Sequence, residues 1–173
     1  EGGIGNINEI GTIDLTPADG ITLQGDLATS DAAVYDITLT GKVLVEGNVT
    51  IDTDDTDGNF DGAIKFTSTI DSGSSTGNLT ILAGETAESG GLTMSGTIGG
   101  TAALGTLNIN ATAGDIAFTV PQIGDGEGLL GAAATSIGNA ASGTITLSGT
   151  GVDVEYNFTD DVIFKSNSGV AFT

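Results

Sequence analysis

Residues 92–118 read L-T-M-S-G-T-I-G-G-T-A-A-L-G-T-L-N-I-N-A-T-A-G-D-I-A-F. Three short units stand out: Leu92/Met94, Leu107/Ile109 and Ile116/Phe118. Each places two apolar side chains around a polar or small one. Period two is the strand signature, with alternate side chains on opposite faces. The residues between the units are Gly, Ala, Asn, Asp and Thr, the material of turns. The first and third units start 24 residues apart, with the second between them.

The same unit recurs along the chain. It appears at Ile13/Leu15, Ile21/Leu23, Ile37/Leu39, Val49/Ile51, Ile64/Phe66 and Leu79/Ile81. It returns at Ile145/Leu147, Val162/Phe164 and Val170/Phe172. Ile13 and Ile37 repeat the 24-residue interval around Ile21. A coil of about 20–25 residues is the size of one rung of a β-solenoid, and the chain would hold about seven. The spacing is irregular elsewhere. Helical periodicity is weak throughout; a short helix is expected only within Ala132–Ala141, where Gly138 interrupts it.

A second echo has an offset of 94 residues. It aligns Gly2 with Gly96, Ile4 with Ile98, Ile13 with Leu107 and Leu15 with Ile109. The tail, Val170 to Thr173, supplies the strand that would precede Glu1 in that pattern. The two ends then belong to neighbouring rungs, as repeats of a tandem array or as subunits meeting head to tail.

The chain has 173 residues, a formal charge of -20 and a mean hydropathy of +0.20. It has 23 acidic residues, three lysines (Lys42, Lys65, Lys165) and no Arg, His, Cys or Trp. Three lysines make no basic stripe, which excludes nucleic-acid binding as a partner class. Without His or Cys there is no zinc, haem or iron–sulfur site, and no His-dependent nucleophilic catalysis. No apolar run approaches the length of a membrane span. Ordered apolar alternation argues against disorder despite the charge. The zero cysteine count and the acidic surface suit an extracellular or cell-surface location.

These features predict an all-β protein. The first expectation is one elongated domain over residues 1–173, a right-handed parallel β-helix of about seven short rungs. A break or insertion loop is expected at 121–142, around Pro121. The alternative is a β-sandwich, pilin-like subunit that donates a terminal strand to its neighbour. In a stack, the inner column would be Ile, Leu and Val with Phe66, Phe118 and Phe172, and outward Thr and Asn would ladder. Its open ends are unpaired edges that must be capped or used.

G-N-L-T-I-L-A-G at 77–84, G-T-I-G-G-T-A-A-L-G-T-L-N-I at 96–109 and G-D-I-A-F at 114–118 resemble the repeats of very large bacterial surface proteins. The chain is similar there to filamentous-haemagglutinin-type β-helix adhesins and giant β-helix repeat proteins. The resemblance covers residues 42–120 best. It implies a right-handed parallel β-helix exposed on or shed from a cell, and it transfers no catalytic residues.

The functional expectation is a structural protein: a subunit or repeat of an extracellular filament, sheath or adhesin. It would join itself head to tail, or join adjacent repeats, through Ile4, Ile10, Ile13 and Leu15 at one end and Val162, Phe164, Val170 and Phe172 at the other. The alternative is an adhesin module that binds cell-surface glycans or a host surface without self-assembly. Its aromatic platform would have to come from Phe and from Tyr35 and Tyr156.

Asp52, Asp54, Asp55, Asp57 and Asp61 crowd ten residues around Gly58. Hard cations take six to eight oxygens, so calcium is the expected ligand. The distal Glu of a calcium loop is absent, since Ile64 and Lys65 fall there. Asp153, Glu155, Asp160 and Asp161 form a poorer cluster. Asn48, Asn78, Asn110 and Asn157 begin N-x-T sequons and are candidate glycosylation sites. No enzyme is expected, because adjacent Asp160 and Asp161 would point to opposite faces of a strand. The T-x-T motifs at Thr38/Thr40, Thr67/Thr69 and Thr144/Thr146 do not recur once per rung, as a flat ice-binding face would require.

Overall fold

The computed structural model describes residues 11–29, 33–53, 62–74, 76–83, 91–99, 101–102, 104–110, 116–119, 135–138, 145–148, 162–165 and 169–172. Sixteen strands lie among them. In chain order they are β1 (Ile13–Leu15), β2 (Ile21–Leu23), β3 (Leu27–Ala28), β4 (Ile37–Leu39), β5 (Val43–Val45), β6 (Asn48–Asp52), β7 (Ile64–Phe66) and β8 (Ile70–Ser72). There follow β9 (Asn78–Leu82), β10 (Leu92–Met94), β11 (Thr106–Asn110), β12 (Ile116–Thr119), β13 (Thr135–Gly138), β14 (Ile145–Ser148), β15 (Val162–Lys165) and β16 (Val170–Phe172). All twelve apolar pairs expected from the sequence lie on strands. The protein is all-β among the described residues.

Every described ladder is parallel. The strands form a seven-stranded sheet (β1-β4-β7-β10-β12-β14-β16), a six-stranded sheet (β15-β13-β11-β9-β6-β3) and a three-stranded sheet (β2-β5-β8). From β1 to β9 the chain visits the seven-, three- and six-stranded sheets in turn and then returns one level higher. Hairpin-linked antiparallel pairing, which the sandwich alternative needs, is absent from the described ladders. In the seven-stranded sheet Ile13, Ile37, Ile64, Leu92, Ile116, Ile145 and Val170 pair in succession. The steps are 24, 27, 28, 24, 29 and 25 residues. Both 24-residue intervals seen in the sequence are therefore single level-to-level steps.

The local cause is simple. Strands of two to five residues give one or two inward side chains per pass, too few to make a core alone. Stacking at about 4.8 Å per strand lays each inward residue on its equivalent one level away. Ile37, Leu39, Val43, Val45, Ile51, Ile64, Phe66, Ile70, Leu79, Ile81 and Met94 are wholly buried in one continuous cluster. At the corners, backbone of one level presses on the next. A Cβ on Gly96 would run into the Ser68 carbonyl, so only glycine fits there. Gly47 turns the chain from β5 into β6 with φ 75, and its carbonyl accepts from Asn78 N at 2.7 Å.

Three expectations are corrected. The Ala-rich stretch contains strand β13 rather than a helix, with Ile137 paired to Ile109 on one side and Phe164 on the other. The segment is short and Gly138 weakens any helix there, and parallel pairing to β11 and β15 outweighs the helix propensity of its alanines. The 94-residue echo does not join equivalent positions. Ile13 lies in the seven-stranded sheet and its echo partner Leu107 in the six-stranded one. Phe172 keeps inner-column register over Leu147, but it is 60% exposed because β16 is the last strand of its sheet.

Candidate functional site

The expected assembly residues separate to two ends. β1, with Ile13 and Leu15, is one edge of the seven-stranded sheet, and β16, with Val170 and Phe172, is the other. β15, with Val162 and Phe164, edges the six-stranded sheet at the β16 end. The Phe164 and Phe172 rings meet edge to face, with centroids 6.4 Å apart and an interplanar angle of 82°. The two ends are unequal. Ile13 is 5% exposed and Leu15 half-buried, whereas Val170 is 38% exposed and Phe172 60%. Ile4 and Ile10 lie outside the described residues.

Of the acidic run, only Asp52 is described. It ends β6, half-buried. Asp54, Asp55, Asp57 and Asp61 lie outside the described residues, as do Asp153, Glu155, Asp160, Asp161 and Asn157. The two feet of the run are tied to each other. Thr53 Oγ1 donates to the Gly62 carbonyl at 2.7 Å, and Gly62 N donates to the Thr53 carbonyl at 3.3 Å. Thr53 is buried, and a Cβ on Gly62 would collide with the Tyr35 carbonyl. Among the described residues no group of three acidic side chains converges to hold a metal.

The sequon residues Asn48 and Asn78 open β6 and β9 and stand in register; Asn110 ends β11. Asn78 Nδ2, the atom a glycan would be attached to, donates to Asn48 Oδ1 at 2.7 Å. Thr106 Oγ1 donates to Asn78 Oδ1 at 3.3 Å. This is an Asn/Thr ladder of the kind expected on the outer face.

Sequence reasoning missed a set of carboxylates that bind one level to the next. Asp26 Oδ1 accepts from Thr50 N at 2.7 Å, and Asp36 Oδ1 accepts from Ala63 N at 2.8 Å. Glu46 Oε1 accepts from Ser74 N at 3.1 Å and Ser74 Oγ at 2.9 Å, while its Oε2 accepts from Gln24 Nε2 at 2.7 Å. Asp71 Oδ1 accepts from Thr101 N at 2.8 Å. In each case the backbone donor lies one level further along the chain. These bonds, the Gln24 amide first and then Ser74, hold the Glu46 carboxyl below the usual Glu range, against a small desolvation effect. The only sequence signal is that Asp26, Asp36 and Glu46 directly flank an inner-column residue.

A hydroxyl column was missed too. Thr40 N donates to the Leu15 carbonyl, Thr67 N to Leu39 and Ser95 N to Phe66. Ladder pairing therefore continues one residue past each strand and aligns Thr16, Thr40, Thr67 and Ser95. Thr119 and Ser148 pair in the same register. The β-branched Thr16, Thr40 and Thr67 suit a pleated, half-exposed surface.

No family model, no curated protein and no solved structure matches this chain.

Proposed function

We propose that the chain is a structural protein, a right-handed parallel β-helix that serves as a subunit or repeat of an extracellular or cell-surface filament, sheath or adhesin. Its role is mechanical, not catalytic. One level extends the next by parallel pairing, and the same pairing extends one copy, or one repeat, onto another. The single observation carrying this reading is the β16 end. There an in-register stack of seven parallel strands ends on Val170 and Phe172, 38% and 60% exposed. Stable proteins cover such edges or use them. Calcium on the Asp52–Asp61 run would reduce the repulsion between highly acidic copies.

A second reading is an adhesin module that binds a glycan or host surface without self-association. The near-complete burial of Ile13 and Leu27 at the β1 end favours it, because that end has little apolar surface left to offer a neighbour. Electron microscopy of the purified chain, with calcium and then with chelator, separates the two. Filaments that disappear in the variant Val170→Asp/Phe172→Asp support end stacking. Discrete monomers at every calcium level sink it and leave the adhesin module.

A further inference from the structure

We propose that Asn48 is an N-glycan attachment site of the folded protein, and that Asn78, its equivalent one level along, is held shut. The inference rests on the extracellular or cell-surface reading above. Both residues open N-x-T sequons, Asn48-Val49-Thr50 and Asn78-Leu79-Thr80. Each begins a five-residue strand of the six-stranded sheet, and the two pair directly. Strand alternation places each Asn and the Thr two residues on along the same outer face. Local sequence and local structure therefore treat the two sequons alike.

The tertiary surroundings separate them. Asn48 is exposed, whereas Asn78 is half-buried. Asn78 is engaged through both side-chain polar atoms: Nδ2 donates to Asn48 Oδ1 at 2.7 Å, and Oδ1 accepts from Thr106 Oγ1 at 3.3 Å. The backbone of the next level closes on it too, since a Cβ on Gly105 would collide with Asn78 Oδ1. Asn48 is engaged through its oxygen, and its Nδ2 has no partner among the described residues. It directly follows Gly47, which turns the chain with φ 75 and whose Cβ position has nothing within 4 Å. The nitrogen of Asn48 is thus available at an open corner. Its oxygen can keep the Asn78 bond after that nitrogen is substituted.

The donor is an oligosaccharide carried on a lipid diphosphate. A bond forms between the sugar C1 and Asn48 Nδ2, and the bond from C1 to the phosphate oxygen breaks. The lipid diphosphate leaves, and the amide proton passes to a base of the transferase. The product stands on the outer face of the six-stranded sheet, whereas β1 and β16 edge the seven-stranded one. A bulky, hydrated glycan there opposes side-by-side association and leaves end stacking open.

The test is transfer in solution to the folded full chain, with a purified single-subunit oligosaccharyltransferase and a lipid-linked oligosaccharide, and with occupancy mapped site by site by mass spectrometry. Asn48 is expected to be modified about tenfold or more faster than Asn78, which must first break its ladder bonds. Asn48→Ala, which removes the oxygen that holds Asn78 Nδ2, should raise the rate at Asn78 several-fold. The same chain cut after its three lysines puts the two sequons on separate peptides, and these should be modified at similar rates. No transfer to Asn48 of the folded chain overturns the site. Equal rates at Asn48 and Asn78 of the folded chain, or the same preference in the cut chain, overturn the selection by the fold. The assay does not depend on where the protein resides. Protein isolated without a glycan from its own cells, yet modified at Asn48 in solution, would count against the extracellular reading and not against the site.

Discussion

Asn78 donates its side-chain amide to the Asn48 side-chain oxygen across one level, at 2.7 Å, with the backbones of the two residues in register. The bond joins equivalent positions 30 residues apart and runs along the stack. Asn78→Ala removes the donor and also the acceptor used by Thr106. The expected loss is about 1 kcal/mol in urea unfolding. A double-mutant cycle with Asn48→Ala should return a non-zero coupling, because the two side chains meet directly.

The inner column carries most of the stability. Leu39 is wholly buried between Leu15 on one level and Phe66 on the next. Leu39→Ala should cost about 2–5 kcal/mol, while Thr38→Ala, on the outward side of the same strand, should stay within about 0.5 kcal/mol. Paired urea denaturation curves of the two variants check this contrast.

Glu46 makes stability pH-dependent. Its folded pKa lies below the ordinary value of 4.5 because Gln24 and Ser74 donate to the ionised form. The unfolded chain then binds the proton more readily, so stability is greatest above the unfolded pKa. It falls as pH drops through that value towards the lower folded one. Urea midpoints measured from pH 7 downwards should decline, and Glu46→Gln should decline less over the same range.

Gly62, at the foot of the acidic run, presses on the backbone just before β4, one level back. Its Cβ position is filled by the Tyr35 carbonyl. Gly62→Ala must move backbone, and overpacking of this kind costs about 1–3 kcal/mol. Thermal unfolding should show a lowered midpoint, whereas Gly169→Ala, where a Cβ meets nothing within 4 Å, provides the comparison for backbone strain alone at φ 108.

The strands missed in the sequence explain where local reading stops. Val43–Val45 has Leu44 rather than a polar residue at its centre, Ile70–Ser72 ends on a buried serine, and Leu27–Ala28 is only two residues long. None shows an apolar–polar–apolar unit, yet each is buried because equivalent residues stack on it. The residues expected to mediate assembly on β1, β15 and β16 were legible as apolar pairs, but not the unequal exposure of Ile13 and Phe172. That depends on what covers each edge strand.

By itself the sequence determined the strand class, twelve of the strand positions, the 24-residue steps and the exclusion of basic and His- or Cys-based chemistry. Those follow from side-chain alternation and residue type, which are local or compositional. Only the tertiary structure decided which of three sheets each strand joins and why the 94-residue echo misleads. It alone decided that Asp71 is buried and that Asp26, Asp36 and Glu46 accept bonds from the next level. Those facts depend on register between segments 22–31 residues apart, and corners of unequal length shift that register in ways that no fixed period records.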